Sequence, residues 1–221
     1  MNHSKEVELA FLIADLSGYT ALTEAHGNMS AVETVTRYME IVEGALVSGT
    51  RLAERVGDEV LIVGADAANL VRTAIRIRDT IEDEPLFPTL HAGLHGGSVL
   101  EQDGHYFGRA LNLASRVAAH ARGNQILCSQ QVVHLAGDIR DVEYRSLGST
   151  RFKNIPDPVD IFEVVSRHQG AERIVIDPVC RMQVRQDTAP ARLPFGGKIY
   201  SFCCFECAKL FANRPDRYVG S

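Results

Sequence analysis

Tryptophan is absent from this chain of 221 residues, and lysine occurs only four times, arginine carrying most of the positive charge. No apolar run approaches the ~20 residues that a membrane-spanning helix requires, so no membrane partner is expected. The first ten residues, Met1 to Ala10, lack a basic stretch followed by an apolar one, which argues against a secretory leader and makes a cytoplasmic location the expectation. There is no excess of positive charge: the net value is −5, so nucleic acid is not an expected partner. Walker loop, dinucleotide fingerprint and Ser/His/Asp arrangement are all missing. What is present is globular: 45% hydrophobic and 23% charged residues exclude a disordered chain, a collagen-like repeat and a coiled-coil rod.

Scarcity is uneven along the chain. Residues 1–170 hold one cysteine, Cys128, together with all eight histidines and a net charge of −8. Residues 171–221 hold the other four cysteines, six of the fifteen aromatics and a net charge of +3. Two differently built pieces are expected, at 6–166 and 174–219, joined by a linker at 167–173. In a reducing compartment, clustered cysteines point to a metal before they point to disulfides.

Within the first piece, Val7 to Ala14 reads as a buried strand. Ser30 and Glu33 form a capping-box signature, and Val32, Val35, Met39, Val42 and Leu46 follow at helical spacing. Thr50–Val56 and Glu59–Val63 read as a hairpin turning at Gly57-Asp58. Leu70, Ala74, Ile77 and Ile81 outline a second helix, closed by Pro85 and Pro88. Leu90–His95 and Ser98–Leu100 read as a strand pair turning at Gly96-Gly97. Ala110–Ala121 is helical, with strands at Gln125–Ser129 and Asp160–Val165. The order βαββαβ predicts an α+β, ferredoxin-like sheet with helices on one face. Cys128 reads as a core residue. His91 and His95 alternate on one strand face without a third ligand, and His26, His120 and His134 form no pattern.

Asp15 ends the first strand and Asp58 sits at the hairpin tip, positions that neighbour each other in a β-α-β-β arrangement. Adjacent carboxylates repel unless a cation lies between them, and oxygen donors suit a hard divalent ion; each aspartate alone also has the ordinary use of shaping a turn. Four stretches in order, Ile13–Thr20, Arg55–Val60, Gly108–Arg116 and Phe152–Val159, resemble the class III adenylate/guanylate cyclase homology domain. The resemblance implies that Asp15 and Asp58 hold two Mg²⁺ or Mn²⁺ ions, that Asn112 orients the ribose and that Arg116 stabilises charge at the α-phosphate. It implies further that Lys153 meets the terminal phosphates of a purine nucleoside triphosphate, and that the site spans a head-to-tail homodimer. Glu54 and His105 occupy the two base-reading positions. Glu54 matches the guanylate pattern and His105 matches neither, so GTP is favoured with ATP as the other candidate. A cyclase-like nucleotide-binding or regulatory domain without turnover is the alternative.

The C-terminal piece, from Asp177-Pro178-Val179-Cys180 to Tyr200–Cys207, is similar to the YHS domain, related to TRASH-type metal fingers. Cys180, Cys203 and Cys207 are spaced to surround Zn²⁺ or copper, with Cys204 as a candidate fourth ligand. The alternative is a set of reduced cysteines in a small aromatic core. About fifty residues form a weak core without such a staple.

Overall fold

The computed structural model describes residues 4–166 and 174–219; the expected linker at 167–173 lies outside the described residues. Strand β1 (Lys5–Ser17) is buried on both faces, with Ala10, Leu12, Ala14 and Leu16 on one side and Phe11 and Ile13 on the other. A strand covered twice has no polar face to alternate, which is why its sequence reads as a near-continuous apolar run. It lies between β3 (Glu59–Gly64) and β4 (Thr89–Gln102), antiparallel to both. Beyond β3 comes β2 (Thr50–Val56); beyond β4 come β6 (Gln125–Ser129), β8 (Val159–Ser166) and β7 (Val142–Thr150). The order is β2-β3-β1-β4-β6-β8-β7, with only β4 and β6 parallel. A short β5 (His105–Phe107) folds back on the end of β4.

Helices α1 (Tyr19–Ala45), α2 (Ala67–Asp83) and α4 (Gln130–Ala136) cover one face of the sheet. In α2 the periodic residues Leu70, Ala74, Ile77 and Ile81 are all fully buried, and Asp66 caps the helix by accepting from the Ala68 N–H at 2.8 Å. Helix α3 (Arg109–His120) corrects the expectation of a single covered face. It packs on the opposite side, with Ala110, Ala114 and Ala118 against Phe11, Ile13, Leu61 and Val63. Gly93 makes this possible: a Cβ there would lie 2.1 Å from the Ala118 backbone nitrogen.

Two further local readings change. The helix expected to start at Ser30 begins at Tyr19 and bends at Gly27 (φ 83°, ψ 171°) before continuing, so the capping-box residues lie inside it, and Val32 is exposed. The turn expected at Gly96-Gly97 is absent; β4 runs through it, paired with Ala10 and Leu9 of β1. A long, fully paired neighbour overrides the local turn preference of two glycines.

The C-terminal domain consists of two hairpins, β9 (Ile174–Ile176) with β10 (Gln183–Arg185) and β11 (Ala191–Phe195) with β12 (Lys198–Phe202). Helices α5 (Phe205–Asn213) and α6 (Asp216–Val219) follow. Phe211 is the hub of its core, with ring centroids 5.8, 4.9, 5.1 and 6.2 Å from Phe195, Tyr200, Phe202 and Tyr218. This domain docks where α2 ends. Pro88 and Met182 form a β-bridge, and the buried Gln183 donates from its backbone to the Phe87 carbonyl at 2.9 Å. Its side-chain amide donates to the carbonyls of Glu84 (3.0 Å) and Ile81, satisfying groups that a helix end leaves open.

Substituting Gly93→Ala should force α3 off the sheet and cost at least about 2 kcal/mol. Thermal denaturation would detect this as a drop of roughly 4 °C or more; an unchanged midpoint would show that α3 is not held against β4 in this way.

Candidate active site and metal centre

Asp15 sits at the end of β1 just past the Ala14–Val60 pair, and Asp58 sits in the turn that starts β3. Burial and the Asp58 carboxylate together raise the Asp15 carboxyl to about 7. One Asp15 oxygen accepts from the Leu16 N–H at 3.0 Å, which keeps the side chain turned back along the loop. Among the described residues the basic group in ion-pair range is His91, with Nε2 3.7 Å from Asp15 and Nδ1 3.1 Å from the Ser17 hydroxyl. Burial lowers that imidazole's pKa, so it contributes little positive charge at neutral pH. Behind the carboxylates the buried Tyr38 hydroxyl has no hydrogen-bond partner among the described residues. Two half-buried carboxylates with no lysine or arginine paired to them among the described residues are a donor set suited to Mg²⁺ or Mn²⁺.

The cations lie elsewhere. The outer face of α3 and the β7–β8 loop line a cavity of about 620 Å³ whose walls include Arg109, Asn112, Ser115, Arg116, Lys153 and Asn154. Helical spacing places Arg109, Asn112 and Arg116 on the exposed face while Ala110, Leu113, Ala114 and Val117 hold the other side down. Lys153 is fixed through its neighbours: Phe152 and Ile155 pack against Leu113 and Val117, and Phe152 meets His120 edge-on at 5.7 Å. Among the described residues, no hydrogen bond or ion pair engages the side chains of Asn112, Arg116 or Lys153. The cavity therefore presents unneutralised donors beside the first turns of a helix, a setting that favours phosphate. Neither Asp15 nor Asp58 lines it.

Glu54 of β2 and His105 of β5 meet at 2.8 Å between Oε1 and Nδ1, half-exposed and exposed respectively. Next to them Arg51 hydrogen-bonds the Tyr106 hydroxyl, so the β4–β5 hairpin curls over the sheet and is anchored to β2 at two points.

The cysteines converge. The Sγ atom of Cys203 lies 3.4 Å from that of Cys180 and 3.6 Å from that of Cys207. The fully buried Asp177 ties their loops together, accepting from the N–H groups of Val179 (2.8 Å), Cys180 (3.4 Å) and Cys203 (2.8 Å). Hydrogen bonds from Cys203 and Cys207 lower the Cys180 pKa to about 5, whereas Cys207 is pushed up by Cys180 and Cys203. Three sulfurs this close hold one thiolate readily and three only around a cation. Cys204 stands outside the group. Its sulfur accepts from the Cys207 N–H at 3.5 Å and caps α5. The fourth member is His26, from α1 of the other domain. Sequence reading passed over it because it stands 154 positions before Cys180, beyond any motif spacing. Cys128 is fully buried in the N-terminal core, and the His95 ring bonds the Ser129 hydroxyl at 2.7 Å.

A YHS domain family model matches residues 175–221. A pH-sensitive adenylate cyclase of Mycobacterium tuberculosis is 28% identical over 173 residues, covering 77% of this chain and 42% of that protein. The chain therefore spans under half the length of that relative. The crystal structure of the adenylyl cyclase CyaB from P. aeruginosa superposes with a TM-score of 0.68 at 21% identity, covering 76% of this chain and 98% of the other. An adenylate/guanylate cyclase/hydrolase structure from Silicibacter pomeroyi gives 0.65 at 26% identity, covering 74% and 99%. Among the described residues no helix is long and apolar enough to cross a membrane.

The Asp15 carboxyl generates a pH prediction. Its ordinary value is 3.8 and its folded value about 7, so at intermediate pH the folded state keeps a proton that the unfolded state has released. Stability without divalent ions should therefore fall as pH rises from about 4 to about 7. Asp15→Asn should flatten that profile and raise the melting temperature at about pH 8 by roughly 2–4 °C, for ~1 kcal/mol of relieved repulsion. Mn²⁺ should stabilise the parent chain and not the variant. Identical pH profiles for the two proteins would contradict the pairing of these carboxylates.

Proposed function

Given a class III nucleotide cyclase fold followed by a YHS domain, we propose that the protein converts a purine nucleoside triphosphate to its 3′,5′-cyclic monophosphate and pyrophosphate. The observation that carries this reading is the separation of two complementary half-sites on one protomer, a carboxylate pair and a cation-lined cavity that does not include it. A head-to-tail homodimer brings the Asp15 and Asp58 pair of one protomer to the cavity of the other, forming two equivalent sites. Mg²⁺ or Mn²⁺ held by Asp15 and Asp58 would supply charge neutralisation and activate the ribose 3′-hydroxyl. Asn112 orients the ribose so that this hydroxyl lies in line with the α-phosphorus. Arg116, without another partner among the described residues, stabilises the charge that grows around the α-phosphate. Lys153 holds the terminal phosphates that depart as pyrophosphate.

Glu54 supports guanine over adenine, since a carboxylate accepts from guanine N1–H and the 2-amino group but opposes the adenine N1 lone pair. With Nδ1–H given to Glu54, His105 offers Nε2 as an acceptor when neutral and as a donor when protonated. GTP is therefore favoured and ATP is also accommodated. The YHS domain, through Cys180, Cys203 and Cys207, binds Zn²⁺ or copper and modulates the cyclase.

Product analysis with GTP and ATP in Mg²⁺ and Mn²⁺ tests the activity. Arg116→Ala should lower kcat by about 10²–10³-fold, and Asp58→Ala should abolish turnover. Mixing the two inactive variants should restore roughly a quarter of the parent rate, because half of the dimers are mixed and each carries one intact site. Nucleotide binding without pyrophosphate release by the parent chain would instead favour a regulatory domain.

A further inference from the structure

We infer that the metal centre of the YHS domain is shared between the domains: His26 Nε2 completes a Cys₃His site with Cys180, Cys203 and Cys207. Bound metal then clamps the finger to helix α1. The inference deepens the metal reading of the three cysteines and rests on it.

The donor separations are those a tetrahedral centre requires. Zn–S bonds of about 2.3 Å and a Zn–N bond of about 2.0–2.1 Å at tetrahedral angles put sulfurs about 3.8 Å apart and sulfur and nitrogen about 3.6 Å apart. His26 Nε2 lies 3.6 Å from Cys203 Sγ and 3.6 Å from Cys207 Sγ, and all four donor atoms fall within 4.8 Å of one another. The three thiols are buried and the imidazole is half-buried, so the histidine closes the outer side of the group. Cys204, the other candidate for that position, is occupied as the α5 cap. Ala25, next to His26, packs into the finger's apolar core. The bend at Gly27 follows directly, ending the first segment of α1 beside the histidine.

A metal held in this way fastens the segment that carries Asp15. The finger also touches the β1–α1 turn, where the Arg181 side chain lies against Gly18; a Cβ on Gly18 would come within 2.3 Å of the Arg181 Cβ. Arg181 adjoins the ligand Cys180, and Gly18 lies three positions after Asp15. A third, solvent-exposed contact joins Arg217 to Glu24 at 3.6 Å. Two ligated or packed points, His26 and Gly18, thus bracket the first segment of α1, and the centre's occupancy sets how firmly the Asp15 turn is held.

The test uses the full-length chain, stripped of metal and titrated with Zn²⁺ or Co²⁺. The parent should bind one thiolate-ligated ion per chain, with Co²⁺ giving the ligand-field and thiolate charge-transfer bands of a tetrahedral Cys₃His site. His26→Ala should bind Zn²⁺ at least about tenfold more weakly, since even an outer-shell partner is worth about 10–100-fold. His26→Cys should restore tight binding with an added thiolate band, which separates loss of a ligand from loss of fold. Hydrogen exchange should show Zn²⁺ protecting amides of residues 19–30 in the parent and not in His26→Ala. Equal affinity and identical Co²⁺ spectra for the parent and His26→Ala would overturn the shared site while leaving the three-cysteine reading intact. Zn²⁺ protection confined to residues 174–219 would overturn the clamp. A parent that binds no metal would remove both.

Discussion

The constraint on which the rest of this structure depends is the separation of charge within one protomer. Asp15 and Asp58 are forced together by the β1–β3 register, and among the described residues the one basic group in ion-pair range of Asp15 is His91, an imidazole whose proton affinity burial has lowered. The guanidinium and ammonium groups that could answer them stand on α3 and the β7–β8 loop, without side-chain partners among the described residues. Each half carries a cost when left alone: like-charge repulsion in one, unneutralised donors in the other. On the proposed reading, divalent ions, a polyanionic nucleotide and a second protomer would relieve both at once. The proposed substrate, metal and dimer would thereby be coupled thermodynamically, each strengthening the binding of the others.

Placing α3 on the face opposite α1 and α2 is what makes the separation workable. The helix lies directly on the backbone at Gly93, so its outer face stands clear of the sheet and can present Asn112 and Arg116 to a neighbouring molecule. The loop bearing Lys153 is pinned to the same helix by Phe152 and Ile155. The donors are therefore carried by packed, rigid elements, the condition for electrostatic stabilisation that does not have to reorganise during reaction.

Much of this was legible in the sequence, and where it was not the reason is physical. Strand end and hairpin tip placed Asp15 and Asp58 as neighbours, and helical spacing put Asn112 and Arg116 on one face; the selection of Asn112, Arg116 and Lys153 came from the resemblance of their motifs. The face on which α3 packs depends on a contact between Gly93 and Ala118 that no local pattern encodes. The Gly96-Gly97 pair looked like a turn because turn preference is local, while the pairing with β1 that keeps the strand straight is not. The early start of α1 was hidden for a similar reason: a capping box at Ser30 competes with the tertiary packing of Leu22 and Ala25, and the helix resolves the conflict by bending at Gly27.

The relation between His26 and the cysteines is the furthest from local legibility, and it changes what the C-terminal domain is. A finger with four ligands of its own folds around its metal and can swing free of its neighbour. A finger supplying three must borrow the fourth, so its metal affinity includes the free energy of docking. That docking also engages Gln183 at the end of α2 and Arg181 at Gly18, so metal binding and the position of the β1–α1 turn are linked. On this shared-site proposal linkage runs in both directions: divalent ions or nucleotide that order the Asp15 turn would also tighten the thiol–imidazole centre. With both proposed sites filled, two chemically distinct metals, one held by oxygen and one by sulfur and nitrogen, would act on a single stretch of chain from residue 15 to residue 26.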